Sequence, residues 1–383
     1  MYIYWNEVSI TFEVLFCKWR CENTNMKISE IEKNKYKICG RTTECLEPLC
    51  LVWTGSSVEF NVRASEFKIL IEGPYETYEN WIAIEINGEV VSRRMVSYEK
   101  EWITVFRMMN PENPVRVRII KEVQAFESDK EHRLNIYEIE TDGELLSVPE
   151  GKMKIEFIGD SINSAEGCIG ARCENDWIAQ FFSHTNSYPY MVGKALGADI
   201  QVISQSGWGV YASWDCNCNN VIPKYYDGIC SLMPKGFFDV HGFHNKWDFD
   251  KWQPDVIIIN LGTNDDGAFH NEDCENSGVL QMEGDSYREC DRLKVRDAMI
   301  EFLKKVRLNN SGADIYWAFG ILGNGMVPTI HEAISMYKDE SGDEKVGYID
   351  LPNTQEDEFG SRSHPGKPAH KNAAEKIIKE IER

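Results

Sequence analysis

No apolar run in this 383-residue chain reaches the roughly 18 residues that a membrane-spanning helix needs. No segment is therefore expected to sit in a bilayer. Positive charge is also scarce: 41 Lys and Arg stand against 62 Asp and Glu, a formal net charge of −21. Nucleic acid and anionic membrane surfaces both require a basic face that displaces counterions, so neither is an expected partner and a neutral ligand fits better. The 12 cysteines lack a compact framework. Their nearest spacings are C-x3-C, C-x4-C and the pair Cys216-Asn-Cys218, with no paired C-x2-C set for zinc. Free thiols, a reducing cytoplasm, and no metal or cofactor are the resulting expectations.

A secretory leader is not evident either. "MYIYWNEVSITFEVLFCKW" has no basic start, no sustained apolar stretch and no small-residue cleavage site, and Glu7 and Glu13 interrupt it. Lys18-Trp19-Arg20-Cys21 can be encoded by codons containing GGAGGTG, a ribosome-binding sequence, shortly before Met26. Residues 1–25 are accordingly expected to be a non-native or disordered extension, with translation starting at Met26.

What is present is enough for two folded domains, with 42% apolar residues and 17 Phe and 11 Trp for cores or ligand platforms. From about residue 26 to 148 the pattern is short runs of period two: "VEFNV", "FKILIE", "WIAIEINGEVV", "WITVF", "VRVRIIKEV" and "LNIYEIE". Asn87-Gly88 between apolar flanks signals a hairpin, and the regular spacing predicts an antiparallel β-sandwich. After the junction "SVPEGK", residues 149–383 alternate apolar strands with helical segments. Strands are predicted at Lys154–Ile158, Ile200–Ser204, Val256–Leu261, Ile315–Phe319 and Val346–Ile349, with helices in "DRLKVRDAMIEFLKKVRL" and in "PAHKNAAEKIIKEIER", where Pro368 suits a first turn. This alternation implies a parallel sheet covered on both faces.

In such a sheet, ligands sit beyond the carboxyl ends of the strands. Four of these ends carry polar residues: Asp160-Ser161, "SQSGWG" with Gly207, "LGTNDD" with Asn264, and "SRSHPGKPAH" with His364. Each alone reads as a turn, since Ser, Gly and Asn all serve turns and His364 precedes a proline. Together they supply a hydroxyl, an imidazole, a backbone N–H free of a Cβ, and a carboxamide. That is the inventory for activating a serine and stabilising a tetrahedral oxyanion.

"FIGDS", "SGWG", "GTND" and the C-terminal His-Pro resemble the four sequence blocks of the SGNH, or GDSL-like, hydrolases. "WDFDKWQPDVIIINLGTNDD", with a preceding sandwich that begins near "YKICGRT" and "LVWTGSSVEF", is similar to carbohydrate esterase family 2. The resemblance implies a jelly-roll-like sandwich followed by a three-layer α/β/α domain. It makes Ser161 the nucleophile and His364 the base, with the Ser161 and Gly207 N–H groups and the Asn264 side chain as oxyanion donors. The implied activity is serine-dependent O-deacetylation of xylan- or mannan-derived carbohydrate, with an acetylated oligosaccharide or polysaccharide as substrate.

One departure stands out. Many SGNH enzymes place an Asp three residues before the histidine, where this chain has Ser361. Either a backbone carbonyl holds the imidazole of a Ser-His dyad, or Asp357 or Glu358 reaches it. His370 is expected to pack or cap the last helix, and His241, His244 and His270 to lie at the surface. Within the long insertion Trp208–Trp252, Trp208 and then Trp214 are the candidate sugar platforms, against core packing as the alternative. An acyl-lipid or aryl esterase and an inert carbohydrate-binding protein are the competing functions. Oligomeric state is not legible.

Overall fold

Residues 23–383 are described in the computed structural model of the protein. The expected N-terminal extension lies outside them up to residue 22. Thr24 and Asn25, counted in that extension, belong instead to the sandwich, since Thr24–Lys27 pairs antiparallel with Leu134–Thr141.

The first half forms two antiparallel sheets. One contains Thr24–Lys27, Leu49–Leu51, Glu66–Glu72, Glu101–Arg107 and Leu134–Thr141; the other contains Tyr36–Cys39, Ser57–Arg63, Trp81–Ile86, Glu89–Met95, Val115–Lys121 and Glu144–Leu146. The period-two residues do what their spacing predicts. Val58, Phe60 and Val62 of one sheet share a buried core with Phe67, Ile69 and Ile71 of the other. At the predicted hairpin, Asn87 and Gly88 both take positive φ, 52° and 85°, as a two-residue turn between twisted strands requires.

The second half holds five parallel strands: β1 (Lys154–Gly159), β2 (Asp199–Ser204), β3 (Val256–Asn260), β4 (Asp314–Phe319) and β5 (Val346–Asp350). Their order is β2-β1-β3-β4-β5. The order reverses at β1, which makes the carboxyl end of β1 the expected crevice. Helices α1 (Tyr188–Leu196), α2 (Thr263–Phe269), α3 (Glu289–Asn309), α4 (Val327–Ser341) and α5 (Lys367–Ile381) follow the strands. Strand β3 shows why both faces are covered. Val256 and Ile258 enter a core with Val192 of α1 and Ile377 of α5, whereas Ile257 and Ile259 enter another with Met299 of α3 and Ile330 of α4.

The insertion Trp208–Trp252 is largely core. Ile222, Tyr226, Cys230, Phe238 and Phe243 are buried with Val52 and Trp53 of the sandwich. The expectation of free thiols is corrected at one pair, because Cys216 and Cys274 are joined in a disulfide. The spacing of 58 residues hides this pairing in the sequence. Eight other cysteines among the described residues are free.

Candidate active site

Strand β1 ends at Gly159, and Asp160-Ser161 follow in a tight turn whose backbone bonds run from Ser164 N to Asp160 O and from Glu166 N to Ser161 O. Ser161 is 5% exposed. Its Oγ lies 3.0 Å from Nε2 of His364, which comes from the loop before α5. The other ring nitrogen, Nδ1, is 2.8 Å from the carbonyl oxygen of Arg362. A carbonyl can only accept, so Nδ1 carries the proton and Nε2 is left as the acceptor facing Ser161. Sequence alone left open how the imidazole is held; the geometry is that of a dyad steadied by the main chain. Asp357 is exposed, and Glu358 is engaged by Asn372 at 2.7 Å and by Gln355 N at 2.9 Å. Ser361, in the place of the missing acid, is fully buried with its hydroxyl unpaired.

The groups expected as oxyanion donors line the same cleft. Gly207 follows β2 with φ of 80°, and a Cβ there would lie 2.8 Å from Cδ1 of Trp214. The backbone therefore has to be glycine. Among the described residues, neither the Ser161 N–H nor the Gly207 N–H donates to a protein acceptor. Both are available to an incoming oxygen. Asn264, in the first turn of α2, lines the same cleft, and its Nδ2 donates to Asp160 Oδ2 at 3.2 Å and to the Trp208 carbonyl at 3.0 Å. Donation to an oxyanion would share one of these two hydrogens.

Two buried carboxylates hold this frame, and the sequence reading assigned neither. Asp160 anchors Asn264 and accepts from Ile162 N at 3.0 Å. Burial pushes its carboxyl up to about 7. Asp265 accepts from the N–H groups of Val210, Tyr211 and Ala212 at 2.8, 2.8 and 3.0 Å, fixing the loop that leaves Gly207. Burial raises its pKa against those three bonds. The sequence signals they give are slight: Asp160 stands in "FIGDS" beside the serine, and Asp265 in the cluster "TNDD" after a strand.

The cleft measures about 400 Å³ and contains Ser161, Gly207, Asn264 and His364 together with Glu127, Glu166, Trp177, Gln205, Asp215 and Arg362. The two tryptophan platforms separate. Trp208 also lines the cleft but is 4% exposed and packs on Tyr225 with ring centroids 5.0 Å apart, so its ring is mostly core. Trp214 is 58% exposed and lies over Gly207. Glu127 was not legible because it comes from the sandwich half, which showed no sign of a site. It receives a hydrogen bond from Gln205 at 2.5 Å, and burial raises its pKa. Beside it, Gln124 Oε1 accepts from Ser206 N at 2.9 Å. The sandwich thus grips the residues immediately before Gly207.

The remaining histidines fall as their surroundings suggested. His370 is fully buried, with Nδ1 3.3 Å from the N–H of Tyr188. His270 is exposed, and His241 and His244 are partly exposed and bonded to the carbonyls of Phe237 and Met233. Among the described residues no group of three or more His, Cys, Asp or Glu could hold a metal ion, and no helix is long and apolar enough to cross a membrane.

No family model matches the chain. An acetyl xylan esterase from the rumen bacterium Butyrivibrio proteoclasticus is 38% identical, with a TM-score of 0.90 over 94% of this chain and 97% of its own. The cellulase/esterase CelE of Acetivibrio thermocellus is 26% identical over 340 residues, 87% of this chain and 37% of that protein. An acetylxylan esterase / glucomannan deacetylase of Cellvibrio japonicus is 28% identical over 196 residues, 48% of this chain and 46% of that protein. The chain thus spans less than half the length of these two curated relatives. A family two carbohydrate esterase from Clostridium thermocellum, solved with cellohexaose, shares the fold at 24% identity, with a TM-score of 0.75 over 91% of this chain and 98% of its own. From the serine-histidine geometry, the sequence blocks and these likenesses together, the chain belongs to carbohydrate esterase family 2 of the SGNH, or GDSL-like, hydrolases.

Proposed function

We propose that the protein is a carbohydrate O-acetyl esterase that removes acetyl groups from xylan- or mannan-derived oligosaccharides through a covalent acetyl-enzyme. The observation that carries this reading is the 3.0 Å contact of Ser161 Oγ with His364 Nε2 beside two unpaired backbone N–H groups. Ser161 Oγ attacks the acetyl carbonyl carbon while Nε2 takes its proton. The carbonyl oxygen becomes an oxyanion facing the N–H groups of Ser161 and Gly207 and the Asn264 carboxamide. As the tetrahedral adduct collapses, the C–O bond to the sugar breaks, and Nε2 returns the proton to the sugar oxygen. Water then repeats the sequence on the acetyl-enzyme, with His364 again as base.

The cleft supports a sugar over a long acyl chain. Glu127, Gln205, Asp215 and Asn220 offer hydroxyl partners, and Trp214 offers one open aromatic face. Xylan and glucomannan appear in the names of relatives, and the jelly-roll-like reading of the sandwich fits its two antiparallel sheets. The deciding measurement is acetate release from acetylated xylo- and manno-oligosaccharides, with Ser161→Ala as the blank. Wild-type release that vanishes in the variant is the expected result. A folded wild type that cleaves neither substrate, or a Ser161→Ala variant as active as wild type, would reject the assignment.

A further inference from the structure

The dyad leaves the imidazolium without the acid that usually faces it, yet a carboxylate does sit against it. Glu166, in the turn after Ser161, is 3% exposed, and its Oε1 is 3.7 Å from His364 Nε2. The same oxygen accepts from Arg362 Nε at 3.0 Å, and the Arg362 guanidinium also donates to the Asn175 carbonyl at 3.2 Å. Arg362 supplies the carbonyl that holds His364 Nδ1, and it does so with φ of 55°, followed by Ser363 with φ of 56°. Two consecutive non-glycine residues in the left-handed region are strained and persist only where their surroundings fix them. The Glu166 contact and the bond from Arg362 N to the Glu174 carbonyl at 2.8 Å do that fixing.

We propose that Glu166, steadied by Arg362, is the charge partner and positioning residue of His364, in place of the acid absent at Ser361. The inference rests on the esterase reading for its chemistry. When Ser161 Oγ bonds to the acyl carbon, its proton moves to Nε2 and a full positive charge appears beside Oε1. Glu166 lowers the energy of that ion pair and, through Arg362, keeps the carbonyl in place under Nδ1. The proton then leaves to the alcohol oxygen as the ester C–O bond breaks, and the charge disappears. Glu166 touches no reacting atom of the ester and is not itself protonated in the cycle. The other charged and titratable groups facing His364 are Asp160 behind Ser161, Glu127 across the cleft, Asp215 from the insertion and His370 of α5. None of them contacts either nitrogen of the ring.

The test uses the whole chain and two readouts: kcat/KM for acetate release, and the second-order rate at which a fluorophosphonate modifies Ser161, both as functions of pH. In the second, Ser161 Oγ bonds to phosphorus, fluoride leaves, and His364 takes the proton, so no sugar is required. An opposite charge within about 4–6 Å favours the charged form. Removing it by Glu166→Gln therefore disfavours the imidazolium and moves the acid limb of both profiles to lower pH, with at least a tenfold loss on the plateau. Arg362→Gln moves the limb the other way, and Glu166→Asp restores most of the wild-type limb. A merely structural role would lower the plateau without moving the limb. Limbs superimposable on wild type in folded Glu166→Gln and Arg362→Gln overturn the proposal, as does an unmoved Arg362→Gln limb should Glu166→Gln not fold. A wild type that is phosphonylated at Ser161 but releases no acetate overturns the substrate reading alone. A folded wild type that is not phosphonylated overturns both.

Discussion

At the scale of single residues, the proposed site is one hydroxyl, one imidazole and three donors, each set in place by neighbouring groups of the fold. Asn264 is the clearest case, since its amide is aimed by Asp160 and the Trp208 carbonyl. Losing one oxyanion donor typically costs about a hundred- to a thousandfold in kcat. Asn264→Ala is expected to lose that much while keeping its fold, as read by steady-state kinetics beside circular dichroism. Turnover within a fewfold of wild type would take Asn264 out of the oxyanion set. Gly207 is equally constrained, but by its positive φ and by the Trp214 ring above it rather than by a side chain of its own.

Among the elements, the helix that follows the catalytic loop is docked through an uncharged histidine. His370 in α5 receives the N–H of Tyr188 at the start of α1, and burial pushes its imidazole down to about 3. Unfolded, the same ring titrates near the ordinary value of about 6.5. Above that value both states hold it neutral, and its contribution to stability is complete. Below it the unfolded chain binds a proton that the native chain refuses, so stability falls with falling pH until the folded pKa is reached. His184, also buried and also pushed down to about 3, adds a slope of the same sign. Between pH 7 and pH 5, His370→Gln should therefore lose less unfolding free energy than wild type by about 2 kcal/mol, measured by urea titration at both pH values. Equal losses would mean that His370 is not held neutral.

For the whole molecule, the two halves share one core and one cleft. Arg41 of the sandwich is fully buried, bonded to Glu156 on β1 at 2.9 Å and to the Gly228 carbonyl at 3.0 Å. Trp53 donates to the Ile229 carbonyl at 2.6 Å. Removing one partner of a buried ion pair typically costs about 3–5 kcal/mol, because the other charge is left unpaired in a poor solvent. Arg41→Ala should lower the midpoint of chemical denaturation accordingly. A loss below about 1 kcal/mol, the range of exposed pairs, would show that the halves do not depend on this contact. Glu127 and Gln124 carry the same dependence into the site, since both come from the sandwich and both grip the segment before Gly207.

The sequence by itself determined the local order: period-two runs became sheets, apolar strands alternating with helices became a parallel sheet, and the four polar strand ends came to one crevice. These features rest on side-chain period and on the fixed place of strand ends in such a sheet, both readable along the chain. Only tertiary structure decided what faces what. Nothing in the spacing of Glu166 and His364, Cys216 and Cys274, or Glu127 and Gln205 announces contact, since each pair is joined through space by the packing of separate elements. The same limit separates the two tryptophans. Trp208 and Trp214 are alike in sequence, and burial alone turned one into core and left the other with an open face.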